Sequence, residues 1–333
     1  MSYARIIGCG HYVPERIVTN QELEIRMDTT DAWIQERTGI RERRFFNPDS
    51  DTVAGMGTRA ARTALERAGL QPQDVDFIVF ATLSSDYYFP GSGVLMQREL
   101  EIPGIPALDV RMQCSGFVYA LSIADQFIRT GMYQTVLVVG SEIQSSIMNI
   151  SNEGRAMAVI FGDGAGAVVL QASTDPGHRI LSTHLHADGR YAEELMQKEP
   201  GGSRPGRWMT REMIEAGGAD PYMNGSTVFK HAVVKFPEVI GEALDAQGLM
   251  AQDIDLLIPH QANLRISEFV RQKMGLPEEK VFNNIQKYGN TTAASIPIAL
   301  SEAWEAGRIQ PGHLVCLAAF GSRFTWASAL IRW

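Results

Sequence analysis

Cysteine is scarce in this chain of 333 residues, and its three cysteines, Cys9, Cys114 and Cys316, are too few and too scattered for a disulfide framework. No Cys-x-x-Cys pair exists, which excludes the usual structural zinc and dithiol motifs. Long apolar runs are missing as well: none reaches the ~18 residues a membrane span needs, and Met1 to Gly10 lacks the basic start and cleavage pattern of a secretory leader. A cytoplasmic protein with no membrane partner is expected. Basic excess is also absent, with 30 Lys and Arg against 38 Asp and Glu, so nucleic acid is an improbable ligand. Gly8-Cys-Gly10 has Val13 where a dinucleotide fingerprint needs its third glycine, and no Gly-Lys-Ser/Thr follows Phe161-Gly-Asp-Gly-Ala-Gly166. His184, His186 and Asp188 alternate as on the polar face of a strand, which explains them better than metal binding does. Neither a metal nor a redox cofactor is expected.

What the chain does contain is an internal repeat. Ala64 to Phe80 aligns without gaps with Ala243 to Pro259, and the identical pairs include Gly69/Gly248, Asp74/Asp253 and Asp76/Asp255. Ala120-Leu-Ser lies over Ala299-Leu-Ser in the same register, and Phe161-Gly-Asp-Gly echoes Phe320-Gly-Ser-Arg in a drifted one. Each copy reads as a helix, a glycine stop, a short loop and a strand apolar on both faces. This predicts a duplicated α/β fold with halves at 1–175 and 176–333. The stretch 198–222 stands apart, rich in proline (Pro200, Pro205, Pro221) and glycine, with a helix-like segment from Thr210 to Glu215. An excursion of that length serves as a lid or interface element, or is disordered.

Cys114 follows a strand and precedes a helix with no charged residue from Ser115 to Ala124. A buried helix N-terminus there would favour the thiolate and make an oxyanion pocket from the same amides, whereas the plain alternative is a small buried hydrophobe, the reading given to Cys9 and Cys316. His260 ends a strand, where α/β sheets collect chemistry. Asn290 precedes a helix and stands just before Ala293, the repeat partner of Cys114, and capping that helix is its structural alternative. The repeat thus brings Cys114 and Asn290 to two related helix starts that should meet. Arg37, Arg41, Arg43 and Arg44 follow Trp33 closely in sequence and form either a solvated face or a phosphate contact.

Asp28 to Arg43 (DTTDAWIQERTGIRER), Cys114-Ser-Gly-Phe, Ile160 to Gly166 (IFGDGAG), His260 to Arg265 (HQANLR), Gly289-Asn-Thr and Phe324-Thr-Trp together resemble the ketoacyl-ACP synthase III family of the thiolase superfamily, over nearly the whole chain. The resemblance implies a five-layer αβαβα fold, a homodimer and a catalytic triad of Cys114, His260 and Asn290. It implies decarboxylative condensation of an acyl group from acyl-CoA, held on Cys114, with a malonyl group on acyl carrier protein (ACP), giving 3-oxoacyl-ACP. By the same resemblance the oxyanion is held by the amides of Cys114 and Ser322. Trp33, Arg37, Arg155, Asn263 and Phe229 bind coenzyme A, Phe89 borders the acyl pocket, and Lys230 and Arg265 meet ACP.

Two departures from the family pattern lie near the site. Arg323 stands where the closing turn usually has glycine, and the 198–222 excursion is long. Both lead to the expectation of a donor longer than acetyl, with Arg323 fixing the turn that shapes the pocket. A papain-like hydrolase shares the Cys, His, Asn order but offers no reason for the repeat. A catalytically silent scaffold of the same fold is disfavoured by the intact triad. The nearest rival is a specialised relative making a quinolone or polyketide product.

Overall fold

A computed structural model describes residues 2–203 and 208–333, apart from the Arg323 side chain. Two sheets carry the architecture. The first contains β1 (Tyr3–Tyr12), β2 (Phe77–Ala81), β3 (Ala107–Val110), β4 (Thr135–Glu142) and β5 (Gly164–Ser173), in the order β1-β5-β4-β2-β3. The second contains β6 (Arg179–Ala187), β7 (Leu256–Pro259), β8 (Leu314–Gly321) and β9 (Thr325–Arg332), in the order β6-β9-β8-β7. Pairing matches between them: β2 is parallel to β4 as β7 is to β8, and β4 is antiparallel to β5 as β8 is to β9. The second sheet has no counterpart of β3 among the described residues beyond a single bridge between Leu257 and Val281.

The helices that matter are α1 (Val53–Ala68), α2 (Gly116–Arg129), α3 (Gly225–Asp245), α4 (Leu264–Met274) and α5 (Ser295–Glu305). Along β2, Phe77, Val79 and Ala81 face a central core while Ile78 and Phe80 face an outer one, so the strand is apolar throughout because both its faces are covered. The central core joins Val79 and Val138 of the first sheet to Ile258 and Leu317 of the second, through Phe117 and Leu121 of α2 and Ile296 and Leu300 of α5. Helix α1 covers the outer face of the first sheet, and α3 and α4 cover that of the second. The result is the expected five-layer αβαβα fold. Each fully buried Leu, Ile or Phe in these layers contributes about 1.5–3 kcal/mol, so the central helices are held by packing on two sides.

The repeat extends further than the sequence alignment reached. Strands β4 and β8 keep its register at both ends, Thr135 matching Leu314 and Glu142 matching Gly321, as do the 3-10 turns Gln113–Ser115 and Thr292–Ala294 that open α2 and α5. Gln113 and Thr292 even share a left-handed φ of 47°. The excursion is clasped at its base by β-pairing of Leu195–Gln197 to Pro221–Met223 and carries a short helix, Arg211–Glu215, within the helix-like stretch read from the sequence, with Thr210 as its cap. The first sheet's last strand ends at Ser173 and the second sheet's first begins at Arg179, with one core running through both halves.

Candidate active site

Cys114 sits in the turn between β3 and α2, only 6% exposed. The backbone N–H groups of Ser322 and Cys114, the two amides named for the oxyanion, both favour the ionised form of its sulfur. The expected thiolate is nevertheless corrected: burial, and then the negative charge of Glu142, push the thiol up to about 12, outweighing both amides. Resting Cys114 is a thiol. Gly321 closes the space behind it, since a Cβ there would lie 2.4 Å from the Cys114 Cβ and 3.0 Å from Sγ.

His260 follows β7 and is 3% exposed. Burial alone holds its pKa down to about 3, so the ring is neutral. Its Nδ1 lies 2.6 Å from Ser295 Oγ, while Nε2 is buried without a hydrogen-bond partner. Gln261 N donates to the same Ser295 Oγ at 3.4 Å. With the hydroxyl hydrogen given to Nδ1, the imidazole proton lies on Nε2, and in that tautomer His260 presents an N–H donor. Asn290 is anchored by its backbone N to Ile160 O at 2.9 Å, and its Oδ1 accepts from Thr292 N at 2.9 Å. Capping is corrected: Thr291 and Ala294 stand at the N-caps of the 3-10 turn and of α5, and the Asn290 bond to Thr292 N is a local turn two residues long. It orients the amide so that Nδ2, which makes no hydrogen bond among the described residues, is the group left to act. The turns of Cys114 and Asn290 pack together, with a Cβ on Gly116 falling 3.4 Å from Ala293 Cβ. Ser295, the first residue of α5, ties His260 to the helix that Asn290 precedes.

Glu142 ends β4, is fully buried, and carries no mark in the sequence beyond being a charged residue that closes an otherwise apolar strand. Its carboxylate accepts from Ser84 Oγ at 2.6 Å, from Thr82 Oγ1, Leu83 N, Ser84 N and Gln144 Nε2 each at 3.2 Å, and from Ala293 N at 3.5 Å. The Thr292 hydroxyl also favours its ionised form, although without good hydrogen-bond geometry. Burial raises its pKa against these donors. Asp163 of the glycine-rich turn plays a related part, accepting from Gln144 N, Ser145 N and Phe46 N at 2.6–2.8 Å and so fixing the segment that follows Glu142.

A cavity of about 230 Å³ opens on Cys114. Ile147, Met148, Met157, Leu195 and Met196 supply its apolar wall, and Arg111, Gln113, Gln144, Gln197, Thr292 and Ser322 its polar one. Glu199, Pro200 and Pro221 also line it, so the excursion is part of the site. Phe89 is corrected: it is 82% exposed and lies outside this cavity, which Tyr88 lines instead, with its ring 4.7 Å from Trp208. Placing Tyr88 between the pocket and Trp208 turns the next residue outward.

Trp33, Arg37, Arg155, Asn263, Phe229, Lys230 and Arg265 line one neighbouring groove. Arg37 and Arg155 lie 4.7 and 5.4 Å from the Trp33 ring centroid, and Arg265 lies 5.8 Å from that of Phe229. Asn263 caps α4 through Arg265 N and donates from Nδ2 to Arg37 O at 2.9 Å, so its side chain bridges two groove walls. Ile160 lines this groove and Phe161 the Cys114 cavity, which makes the two spaces neighbours. The arginine cluster divides. Arg43 is fully buried and donates to Val18 O, Asn20 Oδ1 and Val159 O, and Arg44 is turned to Pro14 O, leaving Arg37 in the groove. His184 and His186 face Glu242 at 3.2 and 2.6 Å, and His186 stacks on Trp326, as side chains on one strand face do. Cys9 and Cys316 are fully buried in strands, with burial raising both thiols.

Residues 108–189 match the model for 3-oxoacyl-ACP synthase III, and residues 244–333 match that for its C-terminal part. A beta-ketoacyl-ACP synthase III from Thioalkalivibrio sulfidiphilus is 47% identical, with 100% of both chains covered. The chain belongs to the 3-oxoacyl-ACP synthase III family. A synthase III from Aquifex aeolicus superposes with a TM-score of 0.91 at 42% identity, covering 99% of this chain and 100% of the other. The priming beta-ketosynthase of the R1128 polyketide pathway is also similar, with a TM-score of 0.89 at 34% identity, covering 99% and 96%. Synthase III membership makes the chain an acyltransferase of the condensing type.

Proposed function

We infer that the protein condenses an acyl group with a malonyl thioester, the initiating step that produces 3-oxoacyl-ACP in fatty-acid synthesis. The observation that carries this reading is a buried Cys114 that opens on a cavity and whose turn packs against the Asn290 turn, with a neutral His260 tied through Ser295 to the helix that follows. In the first half-reaction Sγ attacks the carbonyl carbon of acyl-CoA, and the amides of Cys114 and Ser322 take the developing oxyanion. The C–S bond to coenzyme A breaks, and the thiol proton leaves on the departing coenzyme A sulfur. In the second, Nε2 of His260 and Nδ2 of Asn290 donate to the malonyl thioester oxygen as carbon dioxide departs. The enolate carbon then bonds to the acyl carbon, the acyl–Sγ bond breaks, and Cys114 regains a proton. A hydrolase would instead release free acid, so recovery of a carbon-extended product from acyl-CoA and malonyl-ACP supports this reading, and recovery of free acid alone refutes it.

Coenzyme A fits the groove of Trp33, Arg37, Arg155, Asn263 and Phe229, whose cations suit its phosphates. Lys230 and Arg265 at the same groove suit an acidic carrier protein. A homodimer is supported by the free edge of β3, where Leu108 is exposed, together with the exposed Tyr87, Tyr88 and Phe89. Three free thiols favour a reducing cytoplasm. The excursion's contribution to the cavity wall favours a donor longer than acetyl. The part proposed for Arg323 falls on a side chain outside the described residues. Competition of acetyl-, butyryl-, octanoyl- and decanoyl-CoA for Cys114 tests donor length, and a preference for acetyl would refute it.

A further inference from the structure

Each of the three turns at the Cys114 site holds a residue at a left-handed φ of 47°: Gln113, Thr292 and Phe324. For a bulky side chain such a backbone is an outlier that persists only where the surroundings enforce it. Phe324 ends the 3-10 turn Ser322–Phe324 between β8 and β9, which follows Gly321, where an added Cβ would lie 2.4 Å from that of Cys114. The conformation held at Phe324 therefore decides where Ser322 stands relative to the nucleophile. The segment that follows β6 grips this turn at three points. Asp188 N donates to Phe324 O at 3.0 Å, the Ser322 hydroxyl donates to Leu195 O, and between those ends the Tyr191 ring stacks on that of Phe324, with centroids 4.7 Å and planes 26° apart. His231 of α3 meets both rings, Tyr191 at 4.5 Å and Phe324 edge-on at 4.7 Å. Its own ring is fixed by Nδ1–H, which donates to Thr227 O at 2.9 Å. Filling a core explains a Phe324 that is 1% exposed, but it does not call for a left-handed backbone.

We propose that Tyr191 and His231 are positioning residues for acyl transfer, forming with Phe324 an aromatic clamp that holds Ser322 where its backbone N–H meets the oxyanion. This rests on the acyl-transfer reading of Cys114, with Ser322 as an oxyanion donor. Neither residue lines the Cys114 cavity, so each acts through the turn. The Tyr191 hydroxyl makes no hydrogen bond among the described residues, which leaves the ring itself as the gripping element. Paired rings hold one another beyond what burial supplies, and an aliphatic side chain gives up that hold. With the stack gone, Phe324 relaxes from the costlier left-handed backbone and carries Ser322 with it. A shift of about 1 Å in such a donor slows the step it serves about 100-fold, in line with deletion of an oxyanion donor outright. Alkylation of Cys114 by iodoacetamide builds no oxyanion, since Sγ bonds to carbon as iodide leaves. Any change in thiolate fraction slows both reactions alike and cancels in their ratio.

The test is the ratio of acylation to iodoacetamide alkylation at Cys114 in the full-length protein, read by mass at short times. The acyl probe is whichever of acetyl-, butyryl-, octanoyl- and decanoyl-CoA labels the parent fastest, at saturating concentration. Tyr191→Leu should lower the ratio about tenfold or more, while Tyr191→Phe, which keeps the ring, should hold it near the parent value. An unchanged ratio in folded Tyr191→Leu would overturn the proposal, the ring then serving stability only. A fall in Tyr191→Phe as large as in Tyr191→Leu would overturn it too, because the hydroxyl and not the stack would be responsible. His231→Leu decides by the same ratio if Tyr191→Leu does not fold. No acyl label on the parent from any of the four donors, with alkylation intact, would overturn the acyl-transfer reading and this proposal with it.

Discussion

Glu142 and Gly321 end matching strands of the two repeats, and each lies against the helix-opening turn of the opposite half. Glu142, from the first half, accepts from Ala293 N in the Asn290 turn, whereas Gly321, from the second, backs directly onto Cys114. The site is therefore built where the duplicated units cross, and the two equivalent positions have taken opposite characters. One is a buried carboxylate that organises donors; the other is an absence of side chain that leaves room for the nucleophile.

Gly321→Ala should place a Cβ 2.4 Å from the Cys114 Cβ, and because both strand and turn are fully packed, something in the site must move. The expected cost is about 1–3 kcal/mol of stability. A misplaced nucleophile should also slow acylation roughly 100-fold. Denaturant unfolding and intact mass after acyl-CoA treatment measure the two effects.

With the Cys114 thiol pushed up to about 12, its thiolate fraction rises about tenfold per pH unit below that value. Iodoacetamide labelling of Cys114 should climb from about pH 7 to about pH 10 without a plateau. Glu142→Gln removes the charge that helps raise the thiol, so labelling at fixed pH should quicken. The same change sets an amide N–H among donors and should cost about 1–3 kcal/mol in stability. An unchanged pH profile in the folded variant would confine Glu142 to a structural part.

Ser295→Ala takes away the partner of His260 Nδ1, freeing the ring to change tautomer or orientation. Malonyl decarboxylation should fall about tenfold or more, while acyl loading of Cys114 persists. Because His260 stays neutral down to about pH 3, its donor role should not decline between about pH 8 and about pH 5. The sign for stability is the reverse of a gain: unfolded histidine takes up a proton below about 6.5 and the folded ring does not, so stability is lost as pH falls from there toward 3. Decarboxylation assays and acid unfolding of the parent and His260→Ala check these statements.

The duplicated fold was legible because burial on both faces makes β2 and β7 nearly continuous apolar runs, and because the helix, glycine stop and strand recur in one register. Cys114, His260 and Asn290 were legible for a related reason, each standing at an end of a duplicated element. The resting charge of Cys114 was not. An amide count favours the thiolate, and only three-dimensional burial and the approach of Glu142 reverse it. Ser295 escapes a reading of the chain because a serine opening a helix looks like a cap, and its bond to His260, far earlier in the sequence, is tertiary. Phe89 was named by the family resemblance alone, and only the packing of this chain, with Tyr88 against Trp208, singles out Tyr88 among the three adjacent aromatic residues.

The central claim is that Cys114 carries the acyl group between the two half-reactions. Intact mass of the parent and of Cys114→Ala, taken after acyl-CoA and again after malonyl-ACP, tests it most directly. The account predicts one acyl adduct on the parent, its discharge when malonyl-ACP is added with 3-oxoacyl-ACP appearing, and no adduct on the folded variant. An acyl adduct on Cys114→Ala, or discharge of the parent as free acid, would contradict it.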